Sequence, residues 1–99
     1  MKTRTPAFLM ANLGSDISQL FSHLERGETR LATSAAGRAR KIVEKLLAHE
    51  ELKGRTAEIE ILRDIIDDAL SGKPLFDVSR NELEDYFLPF SMRVLRQAL

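Results

Sequence analysis

Three glycines constrain what this chain can fold into more than any other feature. Gly27, Gly54 and Gly72 each close a stretch whose apolar residues recur at helical spacing. Glycine accepts the left-handed backbone that commonly ends an α-helix. Read as stop signals, they divide the chain into four helical segments, over about residues 6–26, 28–50, 55–71 and 80–98. The expected architecture is an all-α, antiparallel bundle of four helices, with residues 1–99 forming a single helical domain.

The first segment opens with Thr5 as a cap and Pro6 at the first helical position, where its missing N–H costs nothing. Leu9, Leu13, Ile17, Leu20 and Leu24 follow at steps of three and four residues, the mark of an amphipathic helix. Gly14 lies within it, at a cost of about 1 kcal/mol relative to alanine; a start at Ser15 is the alternative. In the second segment Leu31, Ala35, Ile42 and Leu46 mark one face, and its first half is rich in alanine, which lets another backbone come close. The alternative start there is a cap at Thr33 or Ser34. The third segment, with Thr56 as cap, carries Ile59, Leu62, Ile66 and Leu70 plus a second apolar line, Ile61 and Ile65. So apolar a helix is expected to be the most buried element.

After Gly72, Lys73 and Pro74 force a connector, with Phe76 and Val78 expected to pin it to the core. Ser79 and Glu82 have capping-box spacing, so a fourth helix starts at Arg80. Pro89 should bend or break it near Leu88. Leu83, Phe87, Phe90 and Val94 form a stripe along it.

The short connection between the second and third segments makes them antiparallel neighbours. A turn centred near residues 52 and 53 sets Leu46 by Ile59, Ile42 by Leu62 and Ala39 by Ile66. The same pairing sets Lys45 by Glu60, Lys41 by Asp64, and Arg38 by Asp67 or Asp68. Apolar and charged stripes thus suggest one register.

Composition narrows the function classes. Fifteen basic residues balance fifteen acidic ones, for a formal net charge of zero. Nucleic-acid-binding domains usually carry a basic excess, and zero net charge favours self-association. The absence of cysteine excludes disulfides, thiolate catalysis and zinc–thiolate sites, and fits a cytoplasmic setting. No stretch reaches the roughly 18–20 apolar residues of a membrane span, so no membrane partner is expected. The start of the chain lacks the apolar length and cleavage site of a secretory signal.

Several constellations carry chemistry if they converge. Glu60, Asp64, Asp67 and Asp68 share a helix face and would suit a divalent metal and phosphate chemistry. Small all-α pyrophosphohydrolases of the MazG type use such acidic lines. Glu50-Glu51 resembles the start of that pattern, but Arg55 and the later Glu60-Ile61-Leu62-Arg63 depart from it. Arg30, Arg38 and Lys41 would track a phosphate backbone, although no aromatic is interleaved to stack a base. His23 and His49 lack a second ligand at helical spacing, and the spacing from Arg40 to His49 misses the signature of HEPN ribonucleases. They read as surface histidines. No serine sits in a nucleophile motif. Residues 27–39 resemble half of a tetratricopeptide unit, with Gly27, Ala32 and Ala39 at its small positions. Ala36 stands where that repeat has a large residue, and no second copy follows.

Four of the six aromatics lie in the last quarter: Phe76, Tyr86, Phe87 and Phe90. Aromatics, methionine and arginine are enriched at protein interfaces. Tyr86, Phe90, Met92, Arg93 and Arg96 are therefore the expected partner-binding residues, with Tyr86 and Phe90 as anchors and the arginines as a polar rim. The expected function is that of a small non-enzymatic adaptor or regulator, binding another protein or itself as a homodimer, with no cofactor. A nucleic-acid-associated regulator is the second reading and a metal-dependent enzyme the third.

Overall fold

The computed structural model describes residues 5–71 and 79–98. These form an all-α, four-helix bundle: α1 Pro6–Glu25, α2 Thr29–Leu47, α3 Ala57–Ala69 and α4 Arg80–Ala98, with a single 3₁₀ turn at Glu50–Leu52 between α2 and α3. Gly72, the Lys73-Pro74 connector, Phe76 and Val78 lie outside the described residues.

Local chemistry fixes the helix ends. The Thr5 hydroxyl accepts a hydrogen bond from the Phe8 amide at 3.2 Å, and Pro6 takes the first position. α1 closes at Gly27, whose φ is +71°. The Glu28 amide donates back to the His23 carbonyl at 2.8 Å, and the Gly27 amide to that of Leu24 at 3.1 Å. This is a Schellman closure. α2 starts directly at Thr29, without a side-chain cap, so neither Thr33 nor Ser34 caps a shorter helix. α2 ends at Leu47, earlier than its spacing suggests, because His49 begins the 3₁₀ turn and accepts the Glu51 amide at 3.2 Å. Gly54, φ +81°, reverses the chain after that turn. Thr56 holds the cap position of α3 but makes no side-chain cap bond.

The capping box of α4 forms in both directions. The Glu82 amide donates to Ser79 Oγ at 3.1 Å, and the Ser79 amide donates to Glu82 Oε1 at 3.3 Å. Replacing Ser79 with alanine is expected to cost about 1 kcal/mol. In a domain of this size, that is a drop of roughly 4–8 °C in Tm. Ser79→Asp should recover most of it, and thermal unfolding of both variants checks this. α4 continues through Pro89 rather than ending near Leu88.

Packing follows from which stripe each helix buries. Leu13, Ile17 and Leu20 of α1 are fully buried, as are Ala32, Ala35, Ala36 and Ala39 of α2. Large side chains on one helix thus fill the room that small ones leave on the other. α1 is therefore the central element. It packs against both α2 and α4, while α3 packs mainly against α2. α3 is not the most buried helix: seven of its thirteen residues, Ile61 among them, are exposed, against three of twenty in α1. Leu83 and Phe87 of α4 join the common core, and Phe90 packs against it, half-buried.

At Gly14, α1 and α4 come close together. A Cβ built there would stand 2.6 Å from Phe87 Cγ and 2.7 Å from its Cβ. α1 runs unbroken through this glycine, so Ser15 is not its start. Polar contacts flank the same seam: Ser18 donates to Glu84 Oε2 at 2.6 Å, and Arg80 reaches both Glu84 at 3.3 Å and Glu25 at 3.7 Å.

Ion pairs correct the expected register of α2 and α3. Arg40, not Arg38, meets Asp67, at 2.6 Å. Arg38 instead turns to α1, where it donates to Asp16 Oδ1 at 3.2 Å and Gln19 Oε1 at 2.9 Å. Lys41, Ile42 and Lys45 line that same α1–α2 edge, so none of them pairs with α3. Arg38 and Arg40 are two residues apart, roughly 200° around a helix. They therefore flank the buried alanine stripe on opposite sides, one towards each neighbour.

Candidate functional site

α3 and α4 touch sparingly, and between them lies an apolar cleft of about 310 Å³. Ile61, Leu62 and Ile65 line it from α3, and Leu83 and Tyr86 from α4, with Glu58 and Glu82 at its rim. Helical spacing accounts for the α3 wall, because residues 58, 61, 62 and 65 fall on one face. The apolar line of Ile61 and Ile65, which looked supplementary in the sequence, is the line that meets this cleft.

One hydrogen bond ties the two helices across it: the Tyr86 hydroxyl donates to Glu58 Oε2 at 2.9 Å. The Tyr86 ring stands edge-on to Phe87, with centroids 5.0 Å apart, and lies 6.0 Å from Phe90. Burial pushes the phenol up to about 12, and the hydrogen bond and negative charge of Glu58 act in the same direction. Ionisation is therefore easier in the unfolded chain, whose phenol titrates near 10. The stabilisation from this group is complete below about pH 10 and is lost as the pH rises towards 12. Tyr86 is the sole tyrosine and the chain has no tryptophan, so phenolate absorbance reports this ring alone. The folded protein should titrate well above the denatured one, and Tyr86→Phe should remove this component of its alkaline sensitivity. A folded-state titration near 10 would contradict the burial.

The expected partner-binding residues all lie on α4 and differ in burial. Tyr86 lines the cleft, and Phe90 packs beside it against the core. Met92, Arg93 and Arg96 are exposed further along α4. Large apolar side chains are left outside at Ile61 (52% exposed), Leu88 (55%), Met92 (45%) and, on α2, Leu31 (49%). Glu58, Ile61 and Glu82 were not among the expected site residues. Only the extra apolar line on α3 hinted at them.

The charged constellations separate. Arg30 and Lys41 are exposed on α2, while Arg38 is held by Asp16, Gln19 and Ser34. Of the acidic line on α3, Asp67 is taken by Arg40, and Asp64 lies 3.9 Å from Arg63. Among the described residues, no three acidic or histidine side chains including Glu60, Asp64, Asp67 and Asp68 gather closely enough to hold a metal ion. His23 meets the Glu28 carboxylate at 3.0 Å beside Arg26. That hydrogen bond, aided by the Arg26 charge, holds the Glu28 carboxyl below its ordinary value. Both histidines thus serve chain reversals.

The fold and site define an all-α bundle with an acid-rimmed apolar cleft between α3 and α4. Compared with known proteins, the chain matches no family model, no curated protein and no solved structure. Among the described residues, no helix is long and apolar enough to cross a membrane.

Proposed function

We propose that this chain is a non-enzymatic protein-interaction module, an adaptor or regulator of a cytoplasmic setting, whose binding surface is the α3–α4 seam. The observation that carries this reading is the cleft itself, an apolar floor between two sparingly packed helices with Glu58 and Glu82 at its mouth and no cation among its lining residues. Such a surface suits a protein segment that offers an apolar anchor beside basic side chains. Anchors in desolvated pockets supply most of the binding energy, and rim charges supply orientation and rate.

Ile61→Lys tests this, because Ile61 lines the cleft yet is half exposed, so its replacement is expected to leave the fold intact. Leu31→Lys, on α2, is the control. A partner captured by tagged wild-type protein and by Leu31→Lys, and lost with Ile61→Lys, supports the seam. Equal recovery by all three overturns it.

One observation favours a second reading. Lys41 and Lys45 lie in the groove between α1 and α2, beside Arg38 and on the side of α2 that carries Arg30. They would bind a nucleic-acid backbone, with affinity falling steeply as salt rises. A captured partner that disappears on nuclease treatment favours this edge over the cleft.

A further inference from the structure

The partner chemistry proposed above, an apolar anchor beside cations, is present on the chain itself. The charges of α4 divide by side. Arg80 and Glu84 turn inward to α1, where Ser18 and Arg80 hold the Glu84 carboxyl below its ordinary value. Asp85, Arg93 and Arg96 are exposed and make no side-chain hydrogen bond or ion pair among the described residues. Glu82, Asp85, Pro89, Met92 and Arg96 recur at steps of three and four residues, which puts them on one side of the helix. They share one exposed face, bordered by Tyr86 and Arg93. Glu82 and Tyr86 also line the cleft, so this face is continuous with it. Its first half is acidic and its second half basic.

We propose that a second copy of this chain occupies this surface, with the two α4 helices antiparallel about a two-fold axis at Pro89. The proposal rests on reading the α3–α4 seam as a protein-binding surface. Centring the pair on Pro89 sets Glu82 opposite the partner's Arg96 and Asp85 opposite the partner's Arg93. A two-fold interface must be complementary to itself, and this face is: each acid meets an arginine. A parallel pair would set acid on acid and arginine on arginine. Flanking charges of this kind select partner and orientation.

Sedimentation velocity of the full chain over a concentration series tests the proposal. Wild type is expected to dimerise, less so at high salt. Asp85→Arg and Arg93→Glu should each weaken association by roughly tenfold or more, and the double variant should recover most of that loss. Asp85 and Arg93 stand about 12 Å apart along one helix, so recovery cannot arise within a chain. Circular dichroism confirms that each variant remains helical. A monomer at every concentration overturns the proposal, as does a dimer indifferent to both charges or a double variant no better than the singles. If the chain is monomeric while Ile61→Lys still loses its captured partner, the second-copy proposal falls and the seam reading stands. If the charge swap governs a dimer while Ile61→Lys captures normally, the α4 pairing stands and the cleft reading falls.

Discussion

Gly14→Val is expected to destabilise the bundle by about 3 kcal/mol, at the upper end of what overpacking costs. Domains of this size are stable by only about 5–15 kcal/mol, so the loss is large. An interior helical glycine normally makes substitution favourable, since alanine there gains about 1 kcal/mol in propensity. Here the added Cβ would stand 2.6 Å from Phe87 Cγ. The clash falls on the stem of a buried ring, not on the free end of a flexible side chain, so α4 itself has to move. Gly14→Ala gives the sharper test of sign. It should yield no stabilisation, because strain offsets the propensity gain. If urea unfolding shows Gly14→Ala to be more stable by the full propensity term, the close approach is wrong. Phe87→Ala opens a cavity and costs roughly 3–5 kcal/mol alone. Combined with Gly14→Val, it should cost less than the two changes summed, since contacting residues couple.

Ile17→Ala should be comparably severe, within the roughly 2–5 kcal/mol typical of such truncations. Ile17 is fully buried. In the antiparallel register set by Asp16 and Arg38, it lies opposite the alanine face of α2. Alanines have no rotamers with which to fill a void, so the cavity persists and the cost lies towards the top of the range. Ile61→Ala removes the same kind of side chain at a half-exposed site. It should cost under about 1 kcal/mol, because surface changes are mostly small. Similar losses at the two sites in chemical denaturation would contradict the assigned core.

Much of the fold was legible in the sequence because helix ends are local. Thr5, Pro6, Gly27 and the Ser79–Glu82 pair act within a few residues of themselves, and each does in the structure what its residue type suggests. Apolar periodicity likewise identified most of the buried stripes, but in α2 it included Leu31, which is exposed beside the alanine stripe that is buried. Pairings between helices were less legible. Arg38 and Arg40 have the same chemistry, and which of them meets α3 depends on the side of α2 that each neighbour takes. Gly14 looked like a simple cost because its reason, Phe87, lies far along the chain. Of the candidate site, Tyr86 could be read from aromatic clustering. Ile61 was legible only as part of an extra apolar line and Glu58 not at all, since their role exists only once α3 stands beside α4.

The central place of α1 also has a consequence for the order of assembly. Its pairing with α2 closes a short turn, whereas its pairing with α4 joins Ser18 to Glu84 across 66 positions. Closing the longer loop costs more chain entropy before any contact rewards it. During synthesis the α1–α2 hairpin therefore has all its parts early, while the flank of α1 around Gly14 waits uncovered until residues 80–98 have emerged. That flank is the part of the buried α1 surface that stays exposed longest as the chain emerges.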